Sequence, residues 1–372
     1  MNIFSAVATC GFGLESVLSF ELKKLGMQKV QASDGRVAFE TDGAGIARAN
    51  IWLRTAERVL LVLAQYPAAS FDELFEGARA VPWGELIGRH DAFPVKGYTM
   101  NSQLSSVPAC QSVLKKALVE RLAQDHGTRF LTEKSGVTKR VQFSIVKNIC
   151  TLMLDTSGDG LHKRGYRPLL HEAPIKETLA AGICDLARVF PESCVVDPFC
   201  GSGTLVIEAA LRAKNMAPGL NRPFAAENYD FLGGAPVFRQ AREEARAQIR
   251  SDADFVGFGS DIDPAAIETA QANAQRAGVA DCVSFEKADA RELTAQANDL
   301  ILANPPYGER LMDDQAVGRL YTEFGKRLFK QTFKGLYMIS SHPEFERLIG
   351  RKAVRRRKLY NGMLPCQLYM YF

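Results

Sequence analysis

From Cys194 to Ser340, short apolar runs alternate with stretches whose apolar residues recur every three or four positions. Runs at Cys194–Asp197, Phe255–Asp261, Cys282–Lys287, Leu300–Ala303 and Gly335–Ser340 read as strands. Leu205–Ala213, Pro264–Ala277 and Leu320–Gln331 read as the helices between them, with Ile175–Val189 leading in and a short helix at Pro343–Ile349. Strands that alternate with helices pair in parallel, because a crossover helix carries the chain back to the starting edge. The expected fold is therefore α/β, a mostly parallel sheet with helices on both faces. Such a sheet binds its ligand beyond the carboxyl ends of its strands. Here those ends carry or precede Asp197, Asp261, Asp289 and Asn304. Two further strands, near Ala353–Tyr360 and Gln367–Phe372, close the series.

The first part of the chain has a different rhythm. Asn2–Thr9 reads as a strand, Gly11 and Gly13 break it, and Leu14, Leu18, Leu22 and Leu25 recur at helical spacing. Val37–Glu40 and Val59–Gln65 read as strands around a helix at Ile46–Thr55. A helix at Phe71–Ala80, a strand at Phe93–Met100, a long helix at Ala109–Gln124 and a hairpin over Val141–Leu154 follow. Gly158, Gly160 and Gly165, with Pro168 and Pro174, mark a loop-rich junction at 156–173. A chain of 372 residues is expected to form two or three packed domains. It has no long apolar span, and Met1–Cys10 lacks the basic start and cleavage site of a secretory signal, so no membrane is expected and the expected compartment is the cytoplasm. Eight cysteines without a C-x-x-C pair and five histidines without i, i+4 pairing suggest neither a disulfide framework nor a metal site.

Asp197-Pro198-Phe199-Cys200-Gly201-Ser202-Gly203-Thr204 ends a strand and opens a helix, the place where doubly wound sheets bind nucleotides. Neither a P-loop nor a complete G-x-G-x-x-G is present, which favours a ligand without phosphates. S-adenosylmethionine fits. Its methionine end is a zwitterion that takes a carboxylate, here Asp197, and backbone amides of a loop in which Phe199, Gly201, Gly203 and Thr204 approach the ligand. Asp261, ending the second strand, is expected to take the ribose hydroxyls, with Asp263 two residues on. Asp289, after the third strand, is expected either to accept from the adenine amino group or to cap a helix. The spacing from the glycine loop to Asp261 is about sixty residues, not the usual twenty or so. Residues 214–254 account for it and read as a helix-rich insertion near the substrate mouth.

Asn304-Pro305-Pro306-Tyr307 directly follows the apolar run Leu300–Ala303. An aromatic amino group is a poor nucleophile because its lone pair is delocalised into the ring. Two acceptors on its two hydrogens rehybridise the nitrogen and aim it at a sulfonium methyl. The Asn304 side-chain oxygen and the Pro305 carbonyl can be those acceptors, in a loop that the two prolines hold rigid, and Tyr307 would stack on the base. A base held in this way has left its helix or was single-stranded. By itself the motif serves guanine, adenine-N6, cytosine-N4 or glutamine methylation.

The net charge of +4 is distributed unevenly. From Arg347 to Lys358 there are seven basic residues and no acidic one, including Arg355, Arg356, Arg357 and Lys358. A second stretch holds Lys134, Lys139, Arg140, Lys147, Lys163, Arg164 and Arg167. Each reads either as a phosphate-binding surface or as a solvated face.

On Asp197–Thr204, Gly259–Asp263, Asn304–Arg310, Leu161–Arg167 with Ala173–Ala180, and Arg357–Gly362, the chain resembles the THUMP-domain RNA guanine-N2 methyltransferases, the bacterial group related to the N-terminal half of the ribosomal RNA enzyme RlmL. The resemblance covers nearly the whole chain. It implies a ferredoxin-like part at 1–60, an RNA-gripping THUMP module at 45–155, a linker at 156–173 and a Rossmann-like methyltransferase domain at 174–372. It implies S-adenosylmethionine as cofactor and N2-methylguanosine in RNA as product, in large-subunit ribosomal RNA or, alternatively, in transfer RNA. A DNA adenine-N6 methylase is the rival of another substrate class. Lys163, Arg164, Arg167 and Arg355 to Lys358 become candidate RNA contacts. Glu309 can accept from guanine N1–H or form a surface ion pair, and Arg310 can hold a phosphate or Glu309.

Overall fold

A computed structural model describes residues 2–128, 130–133, 136–167, 175–307 and 314–372. The N-terminal half comprises β1 (Phe4–Cys10), α1 (Glu15–Lys24), β2 (Gln28–Ser33), β3 (Arg36–Thr41), α2 (Gly43–Trp52), β4 (Ala56–Pro67), α3 (Phe71–Arg79), α4 (Trp83–Leu86), β5 (Val95–Met100), α5 (Val107–Asp125), β6 (Val141–Val146) and β7 (Ile149–Asp155). These strands form one seven-stranded sheet in the order β2-β3-β1-β4-β7-β6-β5. β4 joins what the sequence suggests are two modules, because it pairs with β1 along one edge and with β7 along the other. β2 has no counterpart in the sequence reading. Only Val30 in it is even half-buried, so it carries no alternating apolar signal.

The C-terminal half comprises α6 (Glu177–Leu186), β8 (Cys194–Asp197), α7 (Thr204–Ala213), α8 (Gly234–Ala247), β9 (Val256–Asp261), α9 (Pro264–Ala277), β10 (Val283–Lys287), β11 (Asp299–Ala303), α10 (Asp314–Leu328), β12 (Gly335–Ser340), α11 (Phe345–Ile349), β13 (Arg355–Asn361) and β14 (Leu364–Tyr371). Its sheet runs β10-β9-β8-β11-β12-β14-β13, parallel from β10 to β12, with β14 antiparallel to both of its neighbours. The expected α/β fold is thus present. β11 and β12 are buried along their whole length, as parallel strands covered on both faces must be. The strand order reverses between β8 and β11, which opens a crevice at their carboxyl ends.

The two halves share a dense polar junction. Glu57 accepts from Thr178 Oγ1 at 2.7 Å and is bonded to His162 Nδ1 at 3.1 Å, and these partners with Lys176 hold its carboxyl down at about 2 although burial pushes it up. Asn50 donates to Thr156 at 2.9 Å and accepts from Ser157 at 2.6 Å. Segment 214–254 belongs to this junction. Gly219 N–H donates to the Ile51 carbonyl at 2.9 Å, Ala226 N–H to that of Thr156 at 3.0 Å, and α8 packs on α2. None of its residues lines the crevice, so the expectation of an insertion at the substrate mouth is corrected: it braces the two halves. Among the described residues no helix is long and apolar enough to cross a membrane.

Candidate active site

Asp197 is the last residue of β8 and Asp261 the last of β9, Asp289 stands two residues beyond β10, and Asn304 directly follows β11. The strands are neighbours in the order β10-β9-β8-β11. With a strand spacing of about 4.8 Å, the four side chains span about 14 Å along one edge of the sheet. All four line a single cleft of about 1630 Å³. That is more room than one small-molecule site of roughly 300–1,000 Å³ needs.

The glycine loop packs tightly on the sheet side at Gly203 and is open at Gly201, where a Cβ would meet nothing within 4 Å. Gly203 sits at φ +80, where an L side chain is strained, and a Cβ there would lie 2.9 Å from the ring of Phe285. Gly201 sits at φ +49, and its N–H donates to Asp261 Oδ2 at 3.0 Å, while Asp263 N–H donates to Oδ1 at 3.0 Å. Two backbone donors thereby orient the Asp261 carboxylate. Asp197 is buried, and Phe199 N–H donates to it at 3.0 Å. Burial first, and then repulsion from Asp261, push its carboxyl up to about 8. Such a group waits for a cation. The Phe199 ring meets Phe324 edge-on at 5.3 Å, which fixes the outer wall of the loop.

Two carboxylates have local partners. Asp263 caps α9 by accepting from Ala265 N–H at 2.9 Å, so although it lines the cleft its oxygen is already employed. Asp289 accepts from Arg291 N–H at 2.9 Å and holds the Arg291 guanidinium at 2.6 Å. The guanidinium keeps its carboxyl below the usual range. Thr204 opens α7, and its hydroxyl accepts from Arg167 at 3.0 Å.

In the Asn304 loop, the Asn304 side-chain oxygen is buried and has no hydrogen-bond partner among the described residues. Buried acceptors are nearly always satisfied, so an unpaired one facing a cleft marks a place for a donor on a ligand. The Pro306 carbonyl accepts from Tyr321 Oη at 2.8 Å, and the Tyr321 hydroxyl also lies 3.2 Å from Ser340 Oγ. Tyr307 Oη accepts from Asn361 Nδ2 at 2.9 Å. Burial raises the Tyr307 hydroxyl further above its ordinary value, so it stays protonated. Tyr321 and Asn361 escape the sequence reading as site residues. Asn361 lies within the Arg357–Gly362 stretch that carried the resemblance, whereas the place of Tyr321 depends on a packing that no local motif announces.

The basic residues divide into three groups. Arg164 is only 5% exposed, with its guanidinium donating to the Leu161 and Arg54 carbonyls and lying 3.5 Å from Glu208, which also accepts from Tyr166 at 3.0 Å. The Arg167 side chain is 7% exposed, on Glu177 at 3.2 Å and the Ile175 carbonyl at 3.1 Å. Their expected role as RNA contacts is therefore corrected: a charge run in the sequence does not say which side chains face water, and Arg164 clamps the junction through the Arg54 carbonyl while Arg167 ties the start of α6 to that of α7. Lys139 is internal in the same way, 3.1 Å from Asp91. Arg357 donates to the Gly13 carbonyl and to Ser16 Oγ, both at 2.7 Å, and ties β13 to the N-terminal half. Lys163, Arg355, Arg356 and Lys358 are exposed, with Lys163 3.9 Å from Asp159 and Arg356 3.4 Å from Glu346. Glu309, Arg310 and Lys134 lie outside the described residues.

Three family models match in succession: a RlmL ferredoxin-like domain at residues 5–60, a THUMP domain at 68–155, and an RMKL-like methyltransferase domain at 164–370. YpsC of Bacillus subtilis (strain 168), whose name describes a candidate RNA methyltransferase, is 40% identical over 374 residues, covering 100% of this chain and 97% of that protein. A Listeria monocytogenes structure described as a predicted N6-adenine-specific DNA methylase is 41% identical with a TM-score of 0.93, covering 100% of this chain and 97% of that one. The structure of SMU.472, described as a methyltransferase complexed with S-adenosylhomocysteine, is 38% identical with a TM-score of 0.91, covering 100% and 98%.

Proposed function

The chain belongs to the RMKL-like methyltransferase family, and on that premise we propose that it methylates the exocyclic N2 of a guanine in RNA, with large-subunit ribosomal RNA as substrate. It is an S-adenosylmethionine-dependent methyltransferase carrying a THUMP domain. The RlmL-type ferredoxin-like domain ahead of the THUMP domain is what favours guanine and the large subunit. With ribosomal RNA as the proposed substrate, the proposed location is the cytoplasm.

The cleft suits S-adenosylmethionine on its own chemistry. Asp197 offers a buried carboxyl to the methionine ammonium group, and Gly201, with open space where a Cβ would stand, leaves the backbone of the turn bare for the methionine end. Asp261, pre-oriented by two N–H groups, accepts from the ribose hydroxyls. Asp289 is assigned to the adenine amino group and must share its carboxylate with Arg291. Bound there, the cofactor supplies an electrophilic methyl group.

The single observation that carries the reading is the unpaired, buried Asn304 oxygen at the end of β11. It accepts one hydrogen of the exocyclic amine and the Pro305 carbonyl accepts the other, which draws the nitrogen lone pair out of conjugation. Tyr321, by holding the Pro306 carbonyl, keeps the loop from relaxing. The Tyr307 ring, pinned through its hydroxyl by Asn361, stacks on the base, a contact worth about 1–3 kcal/mol. No general base is required, because the amine becomes acidic once methylated and releases its proton to water. Alignment then supplies most of the rate.

The test is transfer of labelled methyl groups by the purified protein to ribosomal RNA, transfer RNA and DNA, followed by nucleoside analysis. Label in N2-methylguanosine from large-subunit RNA is expected. Label in adenine from DNA, the activity in the Listeria protein's description, would overturn the proposal.

A further inference from the structure

β13 and β14 form a hairpin whose turn stands at the mouth of the cleft. Gly362, at φ +64, makes the turn, and Asn361 on one side of it holds the Tyr307 hydroxyl at 2.9 Å. The hairpin occupies the sheet edge opposite β10, so its tip lies at the base end of the cleft, away from Asp289 and the adenine end of the cofactor site. The tip residue, Met363, is 95% exposed, the most exposed large apolar side chain described. The fold gives it no burial to explain an apolar side chain at the rim of a catalytic cleft.

The chemistry of the cleft supplies a reason. A base that reaches Asn304 and Tyr307 has been drawn out of its stack, which costs a few kcal/mol and leaves a gap between its former neighbours. Proteins that part neighbouring base steps do so by inserting an apolar side chain, methionine among those used, and a gap left by an extruded base offers the same apolar faces. An unbranched, polarizable side chain also adapts to the flat faces of either neighbour. The strand leading to the tip carries the exposed cations Arg355, Arg356 and Lys358, which suit the flanking phosphates.

We propose that Met363 is a wedge that enters the RNA base stack where the target base has left it, while Asn304 and Tyr307 hold the extruded base. This rests on the reading of the chain as an RNA base methyltransferase. The test measures methyl transfer to total RNA from cells lacking the protein, with the wild type and the variants Met363→Leu, Met363→Ala and Met363→Gln. Total RNA keeps the result independent of whether ribosomal or transfer RNA is the substrate. Leucine preserves apolar bulk and should stay within about twofold of the wild-type kcat. Alanine and glutamine should lower kcat about tenfold with KM for RNA, affinity for S-adenosylhomocysteine and thermal midpoint unchanged, since the side chain has no packing role; tenfold corresponds to about 1.4 kcal/mol. An unchanged kcat for Met363→Ala, or an effect confined to KM, would overturn the wedge. Loss in Met363→Leu equal to that in Met363→Ala would overturn it too. If the wild type transfers nothing to RNA, the functional reading itself fails, and the wedge falls with it.

Discussion

Lowering the pH from about 8 to about 6 perturbs the cleft at one identified place, the carboxyl of Asp197. In the free protein this group titrates at about 8, raised by burial and by Asp261, so near neutrality it is mostly protonated. An ammonium group docked against it requires the carboxylate, and the ligand's ammonium group, stabilised by its own neighbouring carboxylate, keeps its proton between pH 6 and 8. Binding in this range thus follows the ionisation of Asp197. The competent fraction is about one half at pH 8 and about one hundredth at pH 6, so S-adenosylhomocysteine should bind about 50-fold more weakly at the lower pH. Calorimetric titration across roughly pH 6 to 9 reads the curve directly. Asp197→Asn cannot ionise, and should bind more weakly at pH 8 and lose the low-pH limb. A wild-type affinity that is flat between pH 6 and 8 refutes Asp197 as the acceptor of the ammonium group.

Asn304→Ala removes the unpaired acceptor and should lower kcat by about 10² or more, as misalignment of a reacting group does, with S-adenosylhomocysteine affinity within about twofold of the wild type; equal loss of both would assign Asn304 to the cofactor or to the fold. Gly203→Ala puts a Cβ against Phe285 in a left-handed backbone, and urea unfolding should report a loss of at least about 1–2 kcal/mol together with weaker cofactor binding. Neutralising Arg355, Arg356 and Lys358 together should weaken RNA binding and flatten its salt dependence by about 2 in log–log slope, about 0.7 for each phosphate contact with a single strand; an unchanged slope returns these residues to a solvated face. Arg357 is left out of that variant because it fastens β13 to Gly13 and Ser16.

Periodicity alone made the methyltransferase half legible. Its strands are short apolar runs, α9 begins with Pro264 behind the capping Asp263, and the polar residues at the strand ends converge on one cleft. The N-terminal half was legible in its pieces but not in its joining, because the pairing of β4 with β1 and β7 is set by non-local register. β2 was invisible for a related reason: an exposed edge strand has no buried face to impose alternation. The basic residues misled most. Arg164 and Arg167 differ from Lys163 in no way that a sequence displays, yet burial beside Glu208 and Glu177 makes them structural clamps. Tyr321 shows the same limit at the site, since its contact with the Pro306 carbonyl appears only once α10 is packed under the loop.

The most direct test is mass analysis of nucleosides from ribosomal RNA, transfer RNA and DNA of cells with and without this protein. The geometry at Asn304, joined to the RlmL-type domain order, predicts that N2-methylguanosine disappears from large-subunit ribosomal RNA and returns with the wild-type chain but not with Asn304→Ala. Loss of N6-methyladenine from DNA, with guanine methylation of RNA unchanged, would contradict it.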